Sequence, residues 1–193
     1  MKLERIKWIG IDYGAKLSGN TAVVWKDEKG LHCRQSEKGK DSDKWLGEVI
    51  LNLEPESIFI DAPLSLPSVF TGKGEDYFYR ECDRICKAMS PMFIGGLTAR
   101  AMKIKDSFPD INWFETYPGY LARRILKIED LYQKKKAFDD TILDMFEAKL
   151  IFHEGEINNW HRFDAFLAWF SGKRFSEGIH EAIGNSEEGL IIV

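Results

Sequence analysis

The segment NNWHRFDAFLAWFSG, residues 158–172, constrains the fold of this chain more than any other. Phe163, Phe166, Leu167 and Phe170 recur at helical spacing on one face, while Trp160, Ala165, Ala168 and Trp169 leave little polar surface elsewhere. Such a helix must be covered on nearly every side, so the pattern predicts a buried helix over about residues 159–171. Asp164 is the exception on it. A carboxylate on a buried helix is costly unless it is paired or holds a metal ion. With Asn158 or Asn159 as the cap, Asp164 lies beyond the first turn, where the helix terminus stabilises it little. An arginine partner and a metal ion are the two readings left.

The chain opens on three β-prone stretches. Trp8 to Ile11 is a short apolar run ended by Asp12, GAKLSG is turn chemistry, and TAVVW begins a second run. With strands at about residues 6–12, 20–26 and 31–35, the last two joined by the turn DEKG, the pattern predicts an antiparallel meander. Asp12 then stands at a strand end, either as a ligand or catalytic group or as a cap of the turn. In DSDKWLGEVILNLEP, Trp45, Leu46, Val49, Ile50 and Leu53 recur at helical spacing, Ser42 or Asp43 caps, and Pro55 stops the helix. SIFID is too short for a helix and predicts a buried strand ended by Asp61 and Pro63. A strand-helix-strand unit joins right-handed and parallel, which sets this strand beside the first. Asp12 and Asp61 then end adjacent strands at one sheet edge. Two carboxylates so placed repel one another unless a cation or a shared proton lies between them.

After Asp61, residues of about 66–96 read as an insertion over the sheet edge, with a mobile FTGKG loop that lacks the spacing of a phosphate-binding P-loop. A helix is expected over about residues 75–89, its apolar stripe formed by Tyr79, Cys82, Ile85, Cys86 and Met89, so that packing explains the two cysteines better than zinc. A helix over about residues 97–108 leads to INWFETYP, a strand with Glu115 near its end, and Pro118 opens the helix GYLARRIL. A helix over about Asp139 to His153 precedes the buried one, and GLIIV supplies a last strand.

The formal net charge of −4 argues against a protein that coats nucleic acid by bulk electrostatics. Residues 70–136 nevertheless hold 13 Lys and Arg against 9 Asp and Glu, which suits a grip on phosphate at one face. Arg80, Arg84 and Arg100 are the candidate phosphate ligands; ion pairs to Glu81, Asp83 or Asp106 are the alternative, and the run Lys134 to Lys136 reads equally as a solvated face. No stretch approaches a membrane span and the N-terminus lacks the apolar core of a signal peptide, so one cytoplasmic domain over residues 1–193 is expected.

Asp12, Asp61 and Asp164 are acids of the sort that hold Mg²⁺ or Mn²⁺. Two such ions activate water and stabilise the leaving oxygen in phosphodiester hydrolysis, so the arrangement predicts a metal-dependent nuclease, a hydrolase acting on a nucleic acid or a nucleotide.

GIDYGAKLSG, IDAPLSLP, YRECDR, ETYPGYL, HRFDAFLAWF and EGLIIV together resemble a family of predicted nucleases with a ribonuclease H-like fold, catalogued as a domain of unknown function. The resemblance runs over nearly the whole chain. It implies an α/β fold: a mixed five-stranded sheet of three antiparallel and two parallel strands, helices on both faces, and an insertion between strands four and five. It matches Asp12, Asp61 and Asp164 to the metal-binding acids of ribonuclease H-like enzymes such as Holliday-junction resolvases, with Glu115 a fourth candidate. His161, one turn before Asp164, either adds a ligand or packs. The likeness to resolvases is also compatible with a homodimer, while the sequence leaves the oligomeric state open. Two other readings stand beside the nuclease: a non-catalytic binding or dimerisation module on the same fold, and an actin-like nucleotide-binding protein.

Overall fold

The computed structural model describes residues 6–146 and 152–193. The expected meander is present as β1 (Trp8–Asp12), β2 (Ala22–Asp27) and β3 (Gly30–Gln35), followed by helix α1 (Ser42–Leu53) and strand β4 (Ser57–Asp61). Asp41, rather than Ser42 or Asp43, caps α1 by accepting from the backbone N–H groups of Asp43 and Lys44. Glu54 ends that helix in the left-handed region, with φ 45°, ahead of Pro55.

Helix α2 spans only Glu81–Cys86, not residues 75–89. The Asp76 carboxylate takes the Phe78 and Tyr79 amides into a turn, the Arg80 amide bonds to Asp83 as the helix begins, and Lys87 ends it with φ 52°. Cys82 and Cys86 are buried thiols pushed up to about 12 by burial, while Ile85 and Met89 face solvent, so the expected stripe is not one buried face. Helix α3 (Gly95–Asp106) and strand β5 (Asn112–Glu115) follow. Pro118 then opens a one-turn helix, α4 (Pro118–Tyr120), which widens into a π turn over Leu121–Ile125.

The helix expected from Asp139 to His153 is corrected where it is described. Residues Asp140–Met145 form a 3₁₀ turn and Phe152–Glu154 form strand β6; residues 147–151 lie outside the described chain. The buried helix is α5 (Trp160–Ser176), capped by the Asn159 side chain on the Arg162 amide. Strands β7 (Ala182–Asn185) and β8 (Gly189–Ile192) close the chain as a hairpin.

Among the described residues these strands form one eight-stranded mixed sheet, in the order β6-β3-β2-β1-β4-β5-β8-β7, rather than the expected five. The five expected strands are its centre. Both of their outer members, β3 and β5, would expose unpaired backbone groups, and β6 and β8 take up those edges in parallel pairings. β1 and β4 pair in parallel with Asp12 in register with Asp61. No helix is long and apolar enough to cross a membrane among the described residues.

Strand alternation decides which way the two acids face. Ile9, Ile11, Ile58 and Ile60 pack with Leu46 and Ile50 of α1 and Ala101 and Ile104 of α3, on one side of the sheet. Gly10 and Phe59 therefore face the opposite side, where α5 lies, and Asp12 and Asp61 follow at the same parity. α5 comes so close because Gly10 has no side chain: a Cβ there would sit 2.0 Å from the Trp169 backbone nitrogen and 2.4 Å from the Ala165 carbonyl oxygen. Trp8 reinforces the contact by donating from its indole to the Trp169 carbonyl at 3.0 Å. Gly10→Ala is expected to destabilise the protein by about 2–3 kcal/mol, the upper part of the overpacking range, because backbone rather than a side-chain tip must move. Urea denaturation at constant m-value measures it.

Candidate metal centre

Three separate elements deliver the acids. Asp12 and Asp61 end adjacent parallel strands, and Asp164 enters from the second turn of α5; one oxygen from each carboxylate lies within 4.8 Å of the others. Asp12 and Asp164 are buried, while Asp61 keeps a partly open side. The turn after Asp12 is fixed from the other face of the sheet. Arg100 grips Asp43 with two nitrogens at 2.9 and 2.5 Å, donates to the Gly14 carbonyl at 3.2 Å and lies over the Tyr13 ring at 4.8 Å. Tyr13 in turn donates to Asp43 at 2.6 Å.

Two of the acids, Asp61 and Asp164, and the neighbouring His161 are perturbed by their company. Burial first, and then the charges of Asp12 and Asp164, hold the Asp61 carboxyl well above the usual carboxylate range. Burial and Asp12 also push Asp164 up, to about 6, against the opposing pull of Lys134 and Tyr132. His161 pairs its Nδ1 with Asp12 Oδ2 at 2.8 Å, and that hydrogen bond holds the imidazole above its ordinary value. Both oxygens of Asp164 are engaged: the Tyr132 hydroxyl donates to Oδ1 at 2.6 Å, and the Lys134 ammonium donates to Oδ2.

These shifts fix a sign. Acids with raised folded pKa values bind more protons folded than unfolded above about pH 4, so stability falls as pH rises through their folded values. The His161 contribution, present below its unfolded value of about 6.5, is lost over the same climb as pH passes its raised folded value. In chelator, melting temperature is expected to fall from about pH 5 to about pH 8, and Asp61→Asn to flatten that slope. Thermal melts across that range check it.

The other candidates are placed elsewhere. Arg80 is fully buried: its guanidinium meets Glu115 at 2.6 and 2.7 Å and Asp83 at 2.6 and 3.0 Å, leaving no open face for a phosphate. Glu115 is occupied by Arg80 and by the Leu64 amide at 3.0 Å, so it stands as the anchor of that ion pair rather than as a fourth member of the cluster. Arg84 is exposed, paired with Asp76 and stacked over Tyr79 at 5.0 Å. Arg100 belongs to the Asp43 bracket. Of the expected acid partners only Asp83 is one; Asp76 and Asp43 take the others. The arginine partner considered for Asp164 is instead a lysine and a tyrosine. Nothing in the spacing of Tyr132 and Lys134 marked them, because their role exists only where an irregular segment folds across α5.

The donor set suits a hard divalent cation. It is all oxygen, carries up to three negative charges in a small volume, and already draws a lysine ammonium onto one member. Scanned against protein-family models, the chain matches none, and it matches no curated protein.

Proposed function

We propose that the chain is a divalent-ion-dependent phosphodiesterase of ribonuclease H-like architecture, acting on nucleic acid or a nucleotide. The observation that carries this reading is the convergence of Asp12, Asp61 and Asp164, from two adjacent strand ends and a crossing helix, to within 4.8 Å. The central strand order β3-β2-β1-β4-β5, antiparallel through β1 and parallel beyond it, supports the ribonuclease H-like comparison.

Asp12, Asp61 and Asp164 would hold Mg²⁺ or Mn²⁺. An ion held there supplies a lowered pKa for bound water and neutralises charge on a phosphate. The protein's own groups prepare the acids for that task. The hydrogen bonds from His161 to Asp12 and from Tyr132 to Asp164 limit the rotamers of those two acids, and Asp61, the least buried of the three, is the acid left for a substrate to approach. Lys135 and Lys136, exposed beside Lys134, would attract a phosphate backbone by charge.

The test is a calorimetric titration of Mn²⁺ into the wild-type protein with melting temperature followed in parallel, then a screen of single-stranded, duplex and branched DNA, RNA and mononucleotides for hydrolysis that depends on the ion. Binding at micromolar to millimolar concentration with ion-dependent hydrolysis supports the proposal. Absence of binding with an unchanged melting temperature would leave the fold as a non-catalytic binding module.

A further inference from the structure

We propose that Lys134 is an internal counter-ion of the acid cluster, which a divalent ion must displace from Asp164 in order to bind. The inference rests on the metal-centre reading above and concerns how that centre is kept in the absence of an ion.

The two groups on Asp164 differ in kind. Tyr132 is a neutral donor to Oδ1 and leaves that oxygen a lone pair, so its hydrogen bond is compatible with an ion nearby. It is also fixed, its ring meeting Trp160 edge-on at 5.5 Å and lying 6.2 Å from that of Phe163. Lys134 puts a full positive charge on Oδ2, the other oxygen of the same carboxylate. A divalent cation drawing on Asp164 meets that charge directly, and like charges at such a separation in a buried site repel strongly.

Lys134 is also placed to leave. Its side chain is 46% exposed, against 0% for Asp164, and it stands on a flexible four-carbon stem. The segment carrying it has turns but no regular element, lying between the π turn that ends at Ile125 and the 3₁₀ turn that starts at Asp140. That segment is pinned beside Lys134 by Tyr132 and by the Trp160 indole, which donates to the Lys136 carbonyl at 2.8 Å. The backbone can thus stay in place while the ammonium swings outward. Unlike a water molecule, a tethered ammonium is present at high effective concentration and competes at every ion concentration.

Competition of this kind is read in the affinity for the ion alone. Mn²⁺ is titrated by calorimetry into wild type, Lys134→Met, Lys134→Gln and Lys134→Arg, with melting temperatures in chelator as the second readout. Lys134→Gln keeps a donor to Asp164 but no charge, which separates competition from positioning and stands in if the methionine variant folds poorly. The expected result is a Kd on the order of tenfold lower in both neutral variants, an unchanged Kd in Lys134→Arg, and a lower melting temperature of the neutral variants without ion. Binding by a neutral variant where wild type shows none supports the proposal in its strongest form. A Kd in the neutral variants equal to or weaker than that of wild type overturns it, and a weaker one identifies Lys134 as a positioning residue for Asp164. If none of the four proteins binds Mn²⁺, the metal-centre reading itself falls.

Discussion

Asp61→Asn and Asp12→Asn are each expected to abolish the ion-dependent hydrolysis proposed for this chain, by at least about a hundredfold, in proteins that melt no lower than wild type in chelator. Losing one of three carboxylates removes a ligand and a negative charge, and metal-assisted stabilisation of several kcal/mol corresponds to two or more powers of ten in rate. Stability moves the other way. Asp61 is held well above the usual carboxylate range by burial and by two neighbouring acids, so its charged form costs stability at neutral pH. Asparagine keeps the shape without the charge. The gain should be larger for Asp61 than for Asp12, because Asp12 also anchors His161 and its removal leaves that imidazole without its carboxylate. Measuring kcat/KM, Mn²⁺ affinity and melting temperature on the same three proteins separates the outcomes. A variant that keeps its turnover would remove the acid from the mechanism, whereas one that loses turnover by unfolding would show a melting temperature well below wild type.

The positions of Asp12 and Asp61 were legible because they follow from a rule of connection rather than of contact. Right-handed crossover through α1 puts β4 beside β1, and the two strands end on aspartates at the same height. Asp164 was legible through cost, as a lone carboxylate on a helix with no polar face. Sequence periodicity carries no comparable signal for side chains that meet across long separations. Lys134 reaches Asp164 over 30 positions and Arg80 reaches Glu115 over 35; the sequence offers Lys134 only as part of a solvated face, and Arg80 as a phosphate ligand or the partner of a nearby acid. Of the outer strands, β8 falls on the GLIIV run that reads as a strand, whereas β7 is obscured for another reason. Ala182–Asn185 has a single buried apolar residue, Ile183, and a glycine with φ 107°, so its pairing rests on backbone hydrogen bonds and on a close approach to Cys82 rather than on an alternating pattern. Close packing was likewise invisible at Gly10, where the sequence shows only the residue and the structure shows the helix it admits.

Arg80→Ala is expected to produce a large loss of stability, about 3–5 kcal/mol, with a fall in melting temperature on the order of 10 °C. The guanidinium is wholly buried and makes five hydrogen bonds, two to Glu115, two to Asp83 and one at 2.8 Å to the Ser65 hydroxyl. Removing it leaves two carboxylates in the interior without their cation, and this uncompensated charge, more than the lost volume, sets the cost. Arg80→Lys should recover little, since an ammonium cannot serve both carboxylates in the plane of the fork. Acidity distinguishes charge from volume. Burial already raises Glu115 and Arg80 pulls it back down; without the guanidinium, its folded value lies further above the unfolded one, and the folded protein takes up a proton. The variant's deficit should therefore shrink as pH falls from about 7 to about 5.5, whereas a deficit due to a cavity would stay constant. Glu115→Gln in the Arg80→Met background should restore much of the loss at neutral pH, a non-additivity that urea denaturation of the single and double variants measures directly. The same bracket reaches the acid cluster, because Glu115 holds the Leu64 amide and Arg80 holds Ser65, four positions or fewer beyond Asp61. Loosening it releases the chain where β4 leaves the sheet, so Mn²⁺ affinity in Arg80→Ala should weaken although Arg80 touches none of the three acids.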